Sequence, residues 1–271
     1  MTIDRGRGET PFRINFECSM PQDNETLRAN IAANTYPKIA REEPHGRPLA
    51  IVGGGPGLRD EIDALRGWQG DIWAINRTGD YLADHGIAST LVSVDASGAA
   101  DEFCKPVNAD GAIFASWCAP DVLKRYHPVR IFDMFPAVDG GIVGSTTTAG
   151  TMAAVALRLG YTDVTWFGCE GSFSGQNHVG VEVAYDAQLI IRAASADYRT
   201  VPGFLLQCEE LANIIRAFPK VFSERSGGLL RALLADPDWC VVAVSESLKD
   251  HLEEMNGAFG LYEKPYDWKD S

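Results

Sequence analysis

The sequence predicts an α/β fold, specifically a Rossmann-like, open and mostly parallel sheet with helices on both faces. The first observation is a series of short apolar runs, each bounded by Gly, Asp or Asn, that begins at Leu49. Continuous apolar runs of this length are typical of strands that are buried on both faces. The second observation is helical spacing between the runs, and strands that alternate with helices favour a parallel sheet.

Each predicted element rests on a local pattern. The helix over 147–159 is rich in Ala, Met, Val and Leu and ends at Gly160, as helices commonly do. The helix over about 205–217 ends before Pro219, because proline cannot continue a helix. In chain order the predicted elements are a helix over 24–34, strands over 49–53, 71–75, 90–94, 111–115 and 129–132, the helix over 147–159, a strand over 164–168, helices over 205–217 and 228–234, and an apolar run over 239–244.

This organisation divides the chain into an N-terminal extension (1–48), a nucleotide-binding core (49–245) and a C-terminal tail (246–271). The 271 residues are 45% hydrophobic and 23% charged, a balance that excludes disordered and fibrous proteins. No apolar stretch approaches the ~18 residues that span a bilayer, and the N-terminus lacks an apolar signal region, so we expect a cytoplasmic protein. The six scattered cysteines lack zinc-site spacing, and we expect most of them to be buried in a reducing compartment.

The net charge narrows the class of partners. There are 24 Lys and Arg residues against 37 Asp and Glu residues, which gives a net charge of −13. Nucleic acids and anionic membranes require clustered Lys and Arg, so neither is an expected partner. A single phosphorylated small molecule is still compatible, because a few backbone N–H groups can bind it.

A glycine-rich turn after the first strand is the strongest local signal. The strand 49–53 continues directly into Gly53, Gly54, Gly55, Pro56 and Gly57, and a helix is predicted to follow with Pro56 in its first turn. Such a turn lets backbone N–H groups approach a phosphate, with the helix N-terminus adding partial positive charge. A strict dinucleotide fingerprint is absent because a leucine follows Gly57, and no Walker lysine is present. The alternative is a tight strand-to-helix turn without a ligand.

Two further strands end in polar residues. Asn76 follows the second strand and Asp95 follows the third. If the sheet is parallel, these residues lie at the same edge as the glycine turn, where open α/β sheets bind ligands. Asp95 is therefore a candidate for holding Mg²⁺ or a ribose hydroxyl, and its alternative role is an N-cap of the next helix.

Two later loops add candidate residues. Ser145, Thr146 and Thr147 precede the Ala-rich helix, and their hydroxyl and N–H groups could bind a second phosphate or a ribose; the alternative is ordinary helix capping. After the strand 164–168, a polar loop contains Glu170 and His178. His178 is a candidate general base and Glu170 a candidate metal ligand or orienting carboxylate, whereas the alternative for His178 is a lone surface histidine.

The ordered segments GGGPGL (53–58), AIN (74–76), VSVD (92–95) and GSTTTAGTMAAVALRLGYTDVTWFGCEGS (144–172) resemble the MptE-like 6-hydroxymethylpterin diphosphokinases, a group that includes motility accessory factors. The pattern is also similar in outline to bacterial sialyltransferases. The resemblance covers roughly 48–188, and segments from 204 to 230 look like phage-type relatives. The family usually has Ser at the position of Gly57, and an Asp at the strand end where this chain has Cys169 and Glu170.

The resemblance implies a Rossmann-like, nucleotide-dependent transferase. The leading hypothesis is pyrophosphoryl transfer from Mg-ATP to a hydroxymethyl group of a small, pterin-like heterocycle, with Asp95 and Glu170 at the Mg²⁺ and His178 as base. The first alternative is a glycosyltransferase that uses a nucleotide-activated sugar, and the second is a non-catalytic nucleotide-binding module. The expected partners are a small-molecule nucleotide and an acceptor, and a homo-oligomer is compatible with all three hypotheses.

Overall fold

The computed structural model describes residues 2–5, 12–15, 24–96, 109–135, 137–173, 179, 188–236 and 238–245. The helices are α1 (Asn24–Ala33), α2 (Leu58–Arg66), α3 (Thr78–Asp84), α4 (Pro120–Leu123), α5 (Thr148–Arg158), α6 (Pro202–Ala217) and α7 (Gly228–Ala235). The strands are β1 (Thr2–Arg5), β2 (Phe12–Asn15), β3 (Leu49–Val52), β4 (Asp71–Ile75), β5 (Ser89–Ser93), β6 (Ala109–Ala115), β7 (Val129–Phe132), β8 (Met134–Phe135), β9 (Ile142–Val143), β10 (Val164–Phe167), β11 (Leu189–Ala193), β12 (Ala196–Thr200), β13 (Phe222–Glu224) and β14 (Cys240–Val244).

A seven-stranded sheet forms the centre of the molecule. Its strands lie in the order β13-β10-β3-β4-β5-β6-β7, and all six neighbouring pairs are parallel. From β3 the chain adds strands in one direction as far as β7. It then returns to place β10 on the other side of β3. The predicted Rossmann-like, mostly parallel α/β fold is confirmed.

The sheet is buried on both faces, as its apolar strands predict. In β3, Leu49 and Ile51 face a large core that also contains residues of α5, α6 and α7. Ala50 and Val52 point the other way, into a smaller core with residues of α2 and α3. All four side chains are completely buried. Full burial of a Leu or Ile side chain stabilises a fold by about 1.5–3 kcal/mol, so this central strand anchors both layers.

Smaller sheets flank the central one. Strands β11, β12 and β14 form an antiparallel sheet, β8 pairs with β9, and β1 pairs with β2. Only β14 among these was predicted, as the apolar run over 239–244. Of the others, β8 and β9 have only two residues each and β12 is largely exposed, whereas β11 is mostly buried. The turn between β11 and β12 also lacks the Gly or Asn that marks a hairpin.

The predicted helices are confirmed with small changes at their ends. α6 begins three residues earlier than predicted, at Pro202, because proline suits the first position of a helix. α1 is part of the packed structure, since Leu27 is buried in the large core. The Asn34 side chain, just after α1, donates hydrogen bonds to the carbonyls of Ser116 and Cys118 (2.9 and 2.8 Å). Within the described residues, no helix combines the length and apolar character needed to cross a bilayer.

Candidate functional site

A cleft of about 240 Å³ lies where the strand order of the sheet reverses. Its floor is formed by the residues that follow the carboxyl ends of β3 and β10, two neighbouring strands of the sheet. The crevice outside such a switch point is the usual ligand site of an open α/β sheet. The walls are the turn 53–56, Ile75 and Asn76 after β4, residues 147–149, the residues Gly168, Cys169, Gly171 and Ser172 after β10, and Phe204 and Gln207 on α6.

The glycine turn packs directly against the loop that follows β10. A Cβ atom on Gly53 would lie 2.6 Å from the Gly168 carbonyl oxygen, so the two backbones touch only because Gly53 has no side chain. Gly168 has a φ of +59°, which also favours glycine. The helix α2 begins at Leu58 with Gly57 as its N-cap. Pro56 therefore precedes the helix, which corrects the prediction that it lies in the first turn.

The N–H groups of this turn have acceptors inside the protein. Gly53 donates to the Phe167 carbonyl and Gly55 to the Gly168 carbonyl, both at 2.8 Å, while Gly57 donates to the Glu170 carboxyl group. These three groups are therefore already engaged, in contrast to the predicted row of open phosphate donors. Because the glycines have no side chains, a ligand can still lie close to the backbone of this turn.

The Glu170 carboxyl group lies behind the glycine turn, and it is not part of the cleft wall. Glu170 is only 3% exposed, and its Oε1 atom accepts the Gly57 N–H. Its Oε2 atom has no hydrogen-bond partner among the described residues. Burial raises the pKa of this carboxyl group, and the Gly57 N–H opposes that shift only in part. In this position the Oε1 atom is bound to the glycine turn.

Asn76 and Asp95, the two polar strand ends, lie in different surroundings. Asn76 lines the cleft, and its buried Oδ1 atom has no partner among the described residues. Its φ of 49° is left-handed, a conformation that Asn tolerates better than most residues. Asp95 is half-buried outside the cleft wall, and its backbone N–H donates to Ser93 Oγ (3.1 Å). Asn76 is therefore the polar side chain that β4 offers to a ligand.

The loop before α5 uses most of its hydroxyl groups internally. Ser145 and Thr146 both donate their hydroxyls to the Glu210 carboxylate on α6, the latter at 2.6 Å. Thr147 caps α5 by accepting the Gly150 N–H (3.3 Å). Capping and the Glu210 contact thus account for the three hydroxyls that the sequence analysis assigned to a ligand. We refer to the contact between Glu210 and residues 145–146 as the Glu210 clasp.

The first two residues of α5 lie at the cleft. Thr148 and Ala149 line it, and no hydrogen bond within the described part of the chain uses their backbone N–H groups. Unsatisfied N–H groups in the first turn of a helix carry partial positive charge and bind anions. This end of α5 is the part of the cleft that is best suited to a phosphate.

Sequence reasoning missed the contribution of α6. Phe204 and Gln207 line the cleft, and Glu210 forms the clasp. These three residues are spaced three apart, and such residues share a face of a helix. That spacing was the available signal, but an exposed polar face would show the same pattern.

Neither a general base nor an activated nucleophile is present among the described residues of the cleft wall. His178 lies outside the described residues. Cys169 lines the cleft but is almost fully buried, and burial raises the pKa of its thiol, which is the opposite of an activated nucleophile. Across the described ranges, no group of three or more His, Cys, Asp or Glu residues is arranged to hold a metal ion.

Comparison with known proteins supports the fold assignment. No family model matches the chain, and no curated protein matches it. The chain is similar in structure to a MAf glycosyltransferase from Magnetospirillum magneticum AMB-1, with a TM-score of 0.60 and 13% sequence identity. The match covers 89% of this chain and 43% of that glycosyltransferase, so the chain spans less than half of its length. At this identity the likeness concerns the fold.

Proposed function

We propose that this protein is a transferase that moves a sugar from a nucleotide-activated donor to an acceptor hydroxyl group. The observation that carries the proposal is the chemistry of the cleft wall. Among the described residues that form it, none has a carboxylate or a cationic side chain. The wall instead offers the N–H groups at the start of α5, the Asn76 amide, the hydroxyls of Thr148 and Ser172, and the Phe204 ring.

This lining favours sugar transfer over the pyrophosphoryl transfer that the family resemblance implies. Transfer from Mg-ATP needs Mg²⁺ beside the phosphates, and carboxylates are the usual protein ligands of that ion. Neither Glu170 nor Asp95 is among the residues that line the cleft, and one Glu170 oxygen already accepts the Gly57 N–H. The described residues therefore do not fit a magnesium site in the cleft. A departing nucleotide phosphate, in contrast, can be stabilised by helix N–H groups alone.

The proposed reaction gives each part of the cleft a task. The donor phosphate lies at Thr148 and Ala149 N–H, and Asn76 accepts a hydrogen bond from the ribose or the base at its unpartnered Oδ1 atom. The acceptor oxygen forms a bond to the anomeric carbon as the bond from that carbon to the phosphate oxygen breaks, and the electron pair stays with the phosphate. The acceptor proton passes to a general base, for which His178 is the candidate from the sequence.

The structural neighbour adds independent support, since a protein of the same fold is a glycosyltransferase. A shared fold hosts many chemistries, so the proposal depends on the cleft and not on the likeness.

The test is the melting temperature of the purified full chain with a panel of nucleotides. The panel contains ATP, GTP, CTP and the CMP-, UDP- and GDP-sugars, each with Mg²⁺ and with EDTA. A ligand at 100 times its Kd stabilises a fold by about 2.7 kcal/mol, which produces a measurable shift. We expect one nucleotide sugar to raise the melting temperature equally with Mg²⁺ and with EDTA.

Other results would contradict the proposal in distinct ways. A shift with ATP that requires Mg²⁺ would favour pyrophosphoryl transfer and lead to a pterin assay. Binding of a nucleotide sugar without turnover on any acceptor would favour a non-catalytic binding module. As a check on the site itself, Asn76→Ala should weaken binding by about 5-fold or more, because it leaves a ligand donor unpaired.

A further inference from the structure

Glu170 links two neighbouring segments of the cleft wall. One segment is the glycine turn after β3, and the other is the loop after β10 that contains Glu170 itself. The Glu170 Oε1 atom accepts the Gly57 N–H at the start of α2. This side-chain contact adds to the two backbone hydrogen bonds from Gly53 and Gly55 that already join the segments.

The backbone of Glu170 is held as firmly as its side chain. Its carbonyl oxygen accepts the Leu230 N–H from α7 (3.1 Å) and the Cys208 thiol from α6 (3.4 Å). Two residues further on, Ser172 Oγ accepts the Leu229 N–H (3.2 Å). Hydrogen bonds from α6 and α7 thus hold the loop, and the Glu170 side chain in turn holds the glycine turn.

Three glycines leave the space that the Glu170 side chain fills. A Cβ atom on Gly55 would collide with its carboxyl group, and one on Gly57 would lie 3.0 Å from its Oε1 atom. On the opposite side, a Cβ atom on Gly228 would lie 2.6 Å from the Glu170 Cβ. The glycine turn is therefore shaped around an internal carboxyl group as well as around the cleft.

We propose that Glu170 is a positioning residue whose carboxyl group serves as the internal hydrogen-bond acceptor at the N-terminus of α2 and holds the glycine turn against the loop after β10. Helix N-termini attract anionic and strongly polar acceptors, and Glu170 meets that demand from within the fold. A bound nucleotide then cannot place its phosphate on the Gly57 N–H. The inference rests on the proposed nucleotide site and gives Glu170 a role other than metal ligand or general base.

The test compares Glu170→Gln, Glu170→Ala and the surface control Glu43→Ala in the full chain. The Gln side chain keeps an oxygen that accepts the Gly57 N–H, whereas Ala leaves this N–H without a partner. The first measurement is the melting temperature without nucleotide. We expect Glu170→Gln to melt at or above the wild-type temperature and Glu170→Ala to melt lower by about 4 °C or more, since an unpaired buried donor is destabilising.

Added formate should then restore part of the lost melting temperature in Glu170→Ala only. Formate is a small carboxylate that can occupy the vacated space at Gly57. Wild type and Glu43→Ala should respond to formate only to the extent of a general salt effect. A Glu170→Ala protein that melts like wild type, or that gains nothing from formate, would overturn the acceptor role of Glu170.

The second measurement is nucleotide affinity and turnover, with CMP, UMP and GMP as binding probes. We expect Kd to rise about 5-fold or more in Glu170→Ala and to return to within about 2-fold of wild type in Glu170→Gln. A Glu170→Gln protein that binds normally but turns over about 100-fold more slowly would make Glu170 a catalytic group instead. If wild type binds no nucleotide, the proposed function fails, while the melting and formate results still decide the role of Glu170.

Discussion

At the residue scale, the buried carboxyl group of Glu170 makes stability depend on pH. Burial raises its pKa in the folded protein above the ordinary value of 4.5, whereas the unfolded chain exposes it to water. The folded state therefore binds this proton more readily than the unfolded state. The resulting stabilisation is complete below pH 4.5 and is lost as the pH rises through the folded pKa.

Glu170→Gln should remove this dependence, because an amide does not titrate. We expect the free energy of unfolding of the variant, relative to wild type, to increase steadily as the pH rises from 4.5 to neutrality. Urea unfolding of both proteins at several pH values measures the difference. A difference that stays constant with pH would mean that the folded and unfolded pKa values are the same.

A second single-residue effect lies in the turn between β11 and β12. Ala194 and Ser195 both have left-handed backbone conformations, with φ of 48° and 65°. Such a conformation costs a non-glycine residue about 1–2 kcal/mol. A substitution by glycine removes this cost, but part of the gain in stability is cancelled because glycine has greater freedom in the unfolded chain.

Ala194→Gly is therefore expected to stabilise the protein by about 0.5–1 kcal/mol. The matched control is Ala196→Gly, two residues later in β12, where glycine should destabilise by a similar amount because the strand backbone is extended. Chemical denaturation of the three proteins gives the comparison. Equal effects of the two substitutions would show that the turn is not strained.

At the element scale, the helices and strands differ in how well the sequence predicts them. The central strands were predicted because burial on both faces makes them largely apolar, as in β3 and β10. The β11–β12 hairpin was missed because Ala and Ser occupy its left-handed turn in place of Gly or Asn. Local sequence pattern thus predicts strands that are buried on both faces, and it misses a hairpin whose turn lacks the usual residues.

The position of the site could be predicted from the sequence, but its internal contacts could not. The convergence of the glycine turn and Asn76 at one sheet edge follows from parallel strand order. The Glu210 clasp joins residues 64 positions apart, and the contact of Glu170 with Gly57 spans 113 positions. A sequence pattern shows residue types, but it does not show which distant partner uses them. For that reason Ser145, Thr146 and Glu170 were assigned to a ligand.

The N-terminus of α5 permits a test of one backbone group. Thr148→Pro removes a single N–H, and proline is well suited to this first helical position. The preceding residue, Thr147, already has the extended conformation that proline requires, with φ −130° and ψ 160°. We expect the melting temperature to be maintained and the affinity for the nucleotide ligand to fall about 10-fold, as for loss of a hydrogen bond to a charged group.

Thr148→Ala is the control, because it removes the hydroxyl of the same residue and keeps the N–H. Calorimetric Kd values for the two variants separate these contributions. If Thr148→Ala weakens binding as much as Thr148→Pro, the hydroxyl is the important group. If neither variant changes the Kd, the phosphate lies elsewhere in the cleft.

At the scale of the whole molecule, the net charge of −13 repels every anionic ligand at long range. None of the described residues that line the cleft is Lys or Arg. The attraction for a phosphate therefore comes from the backbone N–H dipoles at the start of α5. Proteins that bind phosphates through cationic side chains lose affinity as salt screens the attraction. Here salt screens mainly a repulsion, so the usual effect of ionic strength should be reversed.

We therefore expect the affinity for the nucleotide ligand to stay constant or to rise by up to about 3-fold as KCl increases from ~20 to ~200 mM, because the Debye length falls from roughly 20 Å to below 10 Å. The corresponding uncharged nucleoside is the control, and its Kd should not change with salt. Titration calorimetry at both salt concentrations provides the comparison. A tenfold loss of nucleotide affinity would mean that Lys or Arg residues outside the described ranges reach the phosphate, and the balance of dipoles against net charge would not determine binding.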